Sequence, residues 1–141
     1  MADILHKITI QATAAKVLRA ITEQEDLAGW WTRDVSAKPQ VGSVAEFGFD
    51  NHAVVTRMKV IQISPTRVEW ECVDGPSEWI GTTVTFDLEP KGEETTLLFA
   101  QRGWKEASDF YAHCNTKWGY FLGSLKSLLE QGKGTPEPAA T

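Results

Sequence analysis

The sequence is short of basic charge and of long apolar segments. Its 141 residues include 14 Lys and Arg against 19 Asp and Glu, so the formal net charge is −5. Binding to nucleic acids or to anionic membranes depends on clustered basic side chains, and no such cluster occurs. No apolar run approaches the ~18 residues of a membrane span, and the N-terminus has no apolar segment typical of a signal peptide. We therefore expect a cytoplasmic protein with neither nucleic acid nor membrane as a partner.

Cysteine and histidine are also scarce. The two cysteines, Cys72 and Cys114, are 42 positions apart within apolar patterns, which predicts free, buried thiols of a reducing compartment. The three histidines lie in different elements and form no pair with metal-ligand spacing. The sequence also lacks a phosphate-binding loop, a dinucleotide fingerprint and a Gly-x-Ser-x-Gly nucleophile elbow. We therefore predict no metal site and no cofactor.

Alternation of apolar and polar residues predicts six strands. In order, their segments are ILHKITIQAT, GSVAEFGF, AVVTRMKVIQI, RVEWECV, TTVTFDLEP and TTLLFAQ. In the third segment two faces compete, because Val54 and Met58 alternate out of phase with Ile61 and Ile63. A β-bulge within residues 54–63 would reconcile the two faces.

Three helices are predicted around these strands. Thr13 is placed to cap a short helix in AAKVLRAIT, and a second short helix in EQEDLAG would end at Gly29. A long amphipathic helix is predicted over residues 106–131, and Gly132 follows at the position that ends helices in the left-handed conformation. The apolar stripe of this helix comprises Tyr111, Trp118, Leu122, Leu125 and Leu129.

The order of the elements predicts an α+β fold. One strand, two short helices, five consecutive strands and one long helix favour a six-stranded antiparallel sheet with its helices on one face. The length and the 42% hydrophobic composition suit one domain, which we place at residues 1–134. Residues 135–141 are rich in small residues and proline and are expected to form a disordered tail.

Several segments together resemble a known family. ITIQATAAKVLRAITEQEDLAGWWT, VIQISPTRVEWEC, TTVTFDLEP before ETTLLFAQRGW, and KWGYFLGSLKSLLEQGKG resemble the homologues of the activator of the heat-shock-protein-90 ATPase. These belong to the START and birch-pollen-allergen (SRPBCC) superfamily. The resemblance covers residues 4–134 and implies a helix-grip fold, in which a curved antiparallel sheet wraps the C-terminal helix. It also implies that the short helices close one end of an internal cavity.

Two segments depart from the family pattern. Family members often carry a histidine in the last strand, where this chain has Gln101 and Arg102. The long helix places His113, Cys114 and Asn115 at the cavity end, which is an unusually polar set. Both departures bear on what the cavity holds.

The adjacent pair Trp30 and Trp31 lies at the predicted exit of the second helix. Neighbouring residues point in different directions, so one core can rarely bury both rings. We expect one structural ring and one ring at the cavity entrance, where tryptophan offers a large apolar face and one N–H donor. The full set of residues predicted to line the ligand cavity is Trp30, Trp31, Phe47, Phe49, Trp70, Phe86, Phe99, Gln101, Phe110, Tyr111, Cys114 and Trp118.

Three functions are consistent with this pattern. The first is binding of a small hydrophobic or aromatic molecule between the sheet and the C-terminal helix. The second, suggested by the family name, is an interaction protein that stimulates a chaperone ATPase. The third is an enzyme like the superfamily's polyketide cyclases and aromatases, with Tyr111, His113 and Gln101 as candidates for acid–base chemistry. We assign no catalytic residue, favour a binding protein over an enzyme, and leave monomer and homodimer open.

Overall fold

A computed structural model describes residues 2–137 of the chain. The elements in chain order are β1 (Ala2–Ile10), α1 (Ala14–Ala20), α2 (Gln24–Trp30), β2 (Val35–Ser36), β3 (Val44–Phe49), β4 (Val54–Ser64), β5 (Arg67–Asp74), β6 (Thr83–Lys91), β7 (Glu94–Trp104) and α3 (Asp109–Gln131). Within this part of the chain no helix is long and apolar enough to cross a membrane.

The strands form one antiparallel sheet in the order β1-β7-β6-β5-β4-β3-β2. The sheet has seven strands instead of the six predicted. The additional strand, β2, consists of two residues, and it pairs Val35 with Phe47 and Ser36 with Glu46. Two residues are too few to show an alternating pattern, which is why the sequence gives no sign of this edge strand.

The predicted alternation correctly identifies the inner face of the sheet. Val68, Trp70 and Cys72 of β5 are all buried, and the corresponding apolar residues of β6 and β7 are buried as well. The bulge predicted in β4 is confirmed, because the register with β5 shifts between Val60 and Gln62 and again between Arg57 and Met58.

α1 and α3 each have an end that the sequence encodes locally, whereas α2 has no side-chain cap at Glu23 and ends at Trp30 instead of the predicted Gly29. The Thr13 side chain accepts a hydrogen bond from the Lys16 backbone N–H and caps α1, as predicted. α3 begins at Asp109, three residues after the predicted start, because the Ser108 hydroxyl accepts from the Tyr111 N–H and acts as the N-cap. Gly132 ends α3 in the left-handed conformation with φ of +83°, which confirms its predicted role.

The chain beyond α3 turns back along the helix. The Thr135 N–H donates to the Ser124 hydroxyl oxygen at 2.6 Å. The backbone of Glu137 then pairs with Trp31 and Arg33 at 2.9 and 3.1 Å. Residues 135–137, which were predicted to belong to a disordered tail, therefore have a defined place. The remainder of that predicted tail, 138–141, lies outside the described residues.

Candidate ligand pocket

An open pocket of about 220 Å³ lies between the first half of α3 and the β3–β4 hairpin. The connection between β5 and β6 and the chain beyond α3 complete its wall. The lining residues are Trp31, Phe49, Val54, Thr56, Pro76, Trp79, Phe110, His113, Cys114, Lys117, Trp118, Phe121 and Glu137. Most of these side chains are apolar or aromatic, and the few polar ones are of the kind that orient a ligand.

The two adjacent tryptophans occupy different environments. Trp30, the last residue of α2, is fully buried, and its indole N–H donates to the Ala20 carbonyl at 2.7 Å. Trp31 is the residue after the helix, and its ring lines the pocket although only 2% of the residue is exposed. Trp30 is thus buried in the core and bonded to α1, whereas Trp31 lies at the boundary between the core and the pocket.

Trp31 belongs to a continuous group of aromatic rings. Its ring centroid lies 4.3 Å from that of Phe47 and 5.0 Å from that of Trp118. Trp118 in turn stacks on Trp79, with a centroid distance of 6.0 Å and an interplanar angle of 20°. Aromatic rings favour such offset and tilted arrangements, so these contacts stabilise the positions of the rings that line the pocket.

Gln101 holds the Trp118 ring in position from the buried side of the ring. The Trp118 indole N–H donates to Gln101 Oε1 at 2.8 Å, and Gln101 Nε2 donates to the Thr82 hydroxyl at 3.1 Å. Gln101 is completely buried and does not line the pocket. A buried amide with both ends satisfied fixes the orientation of its partners.

Five of the twelve residues predicted for the cavity line this pocket. They are Trp31, Phe49, Phe110, Cys114 and Trp118. Trp30, Phe47, Trp70, Phe86, Phe99 and Gln101 are buried in the core instead. The twelfth, Tyr111, points towards β1, where its hydroxyl donates to the Asp3 carbonyl at 2.7 Å.

The side chains suggested for acid–base chemistry are not brought together. Only His113 lines the pocket, and its ring stacks on Phe110 at a centroid distance of 6.2 Å. Tyr111 and Gln101 are engaged by the contacts described above. Asn115, from the polar set noted in the sequence, is hydrogen-bonded to His6 of β1 at 2.9 Å.

Several lining residues were not predicted. Val54 and Thr56 lie in the predicted strand whose facing could not be resolved, and Phe121 lies beside the apolar stripe of the long predicted helix. Pro76 and Trp79 lie in the connection between β5 and β6, for which no helix or strand was predicted. Trp79 is 8% exposed, and its indole N–H donates to the Cys114 sulfur at 3.4 Å. The one available signal for this residue was its type, because large aromatic side chains are highly buried on average.

A family model confirms the resemblance drawn from the sequence. Residues 11–130 match the model described as Activator of Hsp90 ATPase homolog 1-like protein. The chain belongs to this family. No protein among those with curated functions matches the chain.

Solved structures of similar proteins share the fold of this family member. The Aha1 dimer from Colwellia psychrerythraea is 40% identical with a TM-score of 0.87, and the match covers 95% of this chain and 100% of that one. A Mesorhizobium loti protein is 22% identical with a TM-score of 0.80, covering 92% and 98% of the two chains. DynU16, from the dynemicin biosynthetic locus, is 22% identical with a TM-score of 0.75, covering 94% of this chain and 48% of that one. The predicted helix-grip fold is therefore confirmed, and the two more distant structures bear on the fold alone.

The two thiols of this family member are free and buried. Burial raises the pKa of Cys72 from its ordinary 9.0 to about 11. Burial also raises the pKa of Cys114, and the N–H that Trp79 donates to its sulfur opposes that effect. Both cysteines are therefore held as neutral thiols, and neither has the character of an activated nucleophile. Within residues 2–137, no three His, Cys, Asp or Glu side chains form a group that could hold a metal ion.

The raised pKa of Cys72 makes stability depend on alkaline pH. In the unfolded chain the Cys72 thiol loses its proton near pH 9, whereas in the folded protein it keeps the proton up to about pH 11. The contribution of this thiol to stability is therefore complete below about pH 9 and is lost as the pH rises towards 11. We expect the difference in unfolding free energy between wild type and Cys72→Ala to fall by about 2 kcal/mol between pH 8 and pH 11. Urea denaturation across this range measures it, and parallel pH curves for the two proteins would contradict the assignment.

Proposed function

We propose that this protein binds a small, largely apolar molecule with an aromatic or planar body in the pocket between α3 and the β3–β4 hairpin. The observation that carries the proposal is the group of rings from Trp31, Trp79 and Trp118 at the surface of an open pocket. Phe49, Phe110 and Phe121 add apolar surface to the same wall, whereas Trp30, Trp70 and Phe86 are buried in the core. No cofactor is required for such binding, and we assign the protein a cytoplasmic location.

The volume of the pocket limits the size of the ligand. An apolar cavity of about 150 Å³ holds benzene. The pocket, at about 220 Å³, therefore suits a body of roughly two fused rings or a short branched chain. Its opening to solvent allows a polar substituent to extend beyond the apolar wall. The neutral compound 2-naphthamide has suitable dimensions for a test.

Filling the pocket should abolish this binding. Val54 lines the pocket and is 40% exposed, so Val54→Trp can place a large ring in the opening without disturbing the core. We expect calorimetric titration to show at least a tenfold weaker affinity for 2-naphthamide. Val44→Trp is the matched control, because Val44 is an exposed strand valine outside the pocket. Equal affinity of both variants would place the probe elsewhere.

Individual indole signals can locate the ligand relative to the tryptophan pair. The six tryptophans give six indole N–H signals in a spectrum of ¹⁵N-labelled protein. Trp30→Phe and Trp31→Phe each remove one signal and so identify it. We expect 2-naphthamide to shift the Trp31 signal while leaving the Trp30 signal in place. A larger shift for Trp30 would contradict the assignment of Trp31 to the pocket wall.

A second function, stimulation of a chaperone ATPase, is favoured by membership of the Hsp90-activator homologue family. This function would need a docking surface in place of a filled pocket. Addition of the purified protein to an Hsp90 ATPase assay tests it directly. Retention of the stimulation in Val54→Trp would separate this activity from ligand binding.

We also propose that the protein forms a homodimer. The support is the 40% identical Colwellia psychrerythraea protein, whose solution structure is a dimer. Sedimentation equilibrium distinguishes a dimer from a monomer at 15.7 kDa.

A further inference from the structure

One charged pair stands at the rim of the pocket. Lys117 and Glu137 are the only Lys, Arg, Asp or Glu side chains among its lining residues in the described part of the chain. The Lys117 ammonium lies 3.5 Å from Glu137 Oε1 and 5.8 Å from the centre of the Phe121 ring. The cation therefore sits where an apolar wall meets solvent, with a carboxylate of the same chain as its partner.

Glu137 reaches this position on a segment that we call the C-terminal strap, residues 133–137. The left-handed turn at Gly132 sends the strap back along α3. The Ser127 hydroxyl donates to the Lys133 carbonyl at 2.6 Å. Together with the bonds of Thr135 and Glu137 described above, this contact ties the strap to α3 and to the chain that follows α2. The strap thus delivers a carboxylate to the pocket from outside the sheet.

The path of the strap requires a glycine at position 134. A Cβ atom there would lie 2.4 Å from the Gly29 carbonyl oxygen and 2.8 Å from the Ser124 hydroxyl oxygen. Any larger residue would force the strap away from its seat, because the nearest atom belongs to the backbone. The strap is therefore seated by a specific close approach, and a single methyl group can displace it.

The ion pair between Lys117 and the Glu137 carboxylate of the strap is weak. The side chains of Lys117 and Glu137 are 47% and 31% exposed, and ion pairs this accessible contribute little to stability. A ligand whose body fills the apolar pocket adds the burial of its rings to the same ion pair. A carboxylate on such a ligand can therefore replace Glu137 at Lys117.

We propose that the pocket takes an aromatic carboxylate, whose carboxylate group pairs with Lys117 in place of Glu137. The strap then acts as an internal competitor that keeps Lys117 neutralised while the pocket is empty. This inference rests on the proposed function of the same pocket and adds the charge of its ligand. Lys117 gives the pocket its preference for an anion, and Glu137 reduces the affinity for that anion by competing for Lys117.

Calorimetric titration with 2-naphthoate and 2-naphthamide tests the proposal, because these probes share a ring system and differ in charge. We expect wild type to bind 2-naphthoate more tightly than 2-naphthamide by at least threefold. Lys117→Met should remove that preference. Glu137→Gln and Gly134→Ala should each strengthen 2-naphthoate binding by at least threefold while leaving 2-naphthamide within twofold of wild type.

Matched controls come from elsewhere on α3. Glu130→Gln removes a carboxylate that pairs with Lys126 at 3.2 Å outside the pocket, and Gly123→Ala adds a methyl group that would have no atom within 4 Å apart from its chain neighbours and the backbone of its own helix. Both controls should bind the two probes as wild type does. If wild type binds neither probe, the proposed function fails. If both probes bind but Lys117→Met keeps the wild-type ratio, or Glu137→Gln leaves 2-naphthoate unchanged, only the proposal of an aromatic carboxylate is overturned.

Discussion

Replacing Trp30 by alanine is expected to lower the free energy of unfolding by about 3–5 kcal/mol, the usual range for a buried tryptophan. Trp30 is completely buried, and its ring lies beside that of Trp31 at a centroid distance of 6.0 Å. Truncation removes this packing and leaves a cavity between α1 and α2 that the surrounding helices can close only in part. It also removes the N–H that satisfies the Ala20 carbonyl near the end of α1.

A second substitution at the same position separates packing from hydrogen bonding. Trp30→Phe loses the bond to Ala20 and part of the indole ring but keeps most of the apolar volume, so its cost should be the smaller of the two. Urea denaturation measures the unfolding free energy of both variants, provided that its dependence on urea concentration has the same slope as in wild type. A loss below about 1 kcal/mol for Trp30→Ala would show that Trp30 is not the structural ring of the pair.

The sequence predicts the strands and the long helix of this fold well because their signals are local and repeated. Val68, Trp70 and Cys72 alternate along β5, and each faces the core. The caps at Thr13 and Gly132 act within one helical turn, so residue type alone places them. β2 is different, because its pairing with β3 depends on the path of the preceding chain and involves only two residues.

The pocket is harder to predict because the same residue types build the core and the cavity wall. Phe47 and Phe49 alternate on one face of β3, yet Phe47 is buried in the core and Phe49 lines the pocket. Which of the two meets open space depends on where the sheet and α3 separate. That separation is a property of tertiary packing, and the periodicity within one element does not indicate where it occurs.

Pocket residues that lie in irregular segments could not be predicted from the sequence pattern. Trp79 lies in the connection between β5 and β6, and Glu137 lies in the strap after α3. Neither segment has a repeat that indicates which side chain points inward. Gly134 carried a weak signal, since glycine suits close backbone approach, but the neighbours that require it, Gly29 and Ser124, are distant in the sequence.

Leu125→Ala is expected to cost about 2–5 kcal/mol, because this residue of α3 is fully buried in the core. Leu125 is 0% exposed and belongs to the main hydrophobic core, together with Leu122 one turn earlier. Alanine is the best helix former, so the substitution preserves the helix and removes only side-chain packing. The loss can therefore be attributed to the contact between α3 and the rest of the core.

Leu129 provides the matched control for this substitution. It lies one turn further along the same helix and was predicted to be buried as well, but the structure shows it only partly buried at the margin of the core. Leu129→Ala makes the same chemical change with less apolar area removed from the core, so its cost should be clearly smaller than that of Leu125→Ala. Chemical denaturation of wild type and both variants gives the comparison. An unchanged midpoint for Leu125→Ala, or equal losses at the two positions, would contradict the placement of Leu125 at the centre of the contact between helix and sheet.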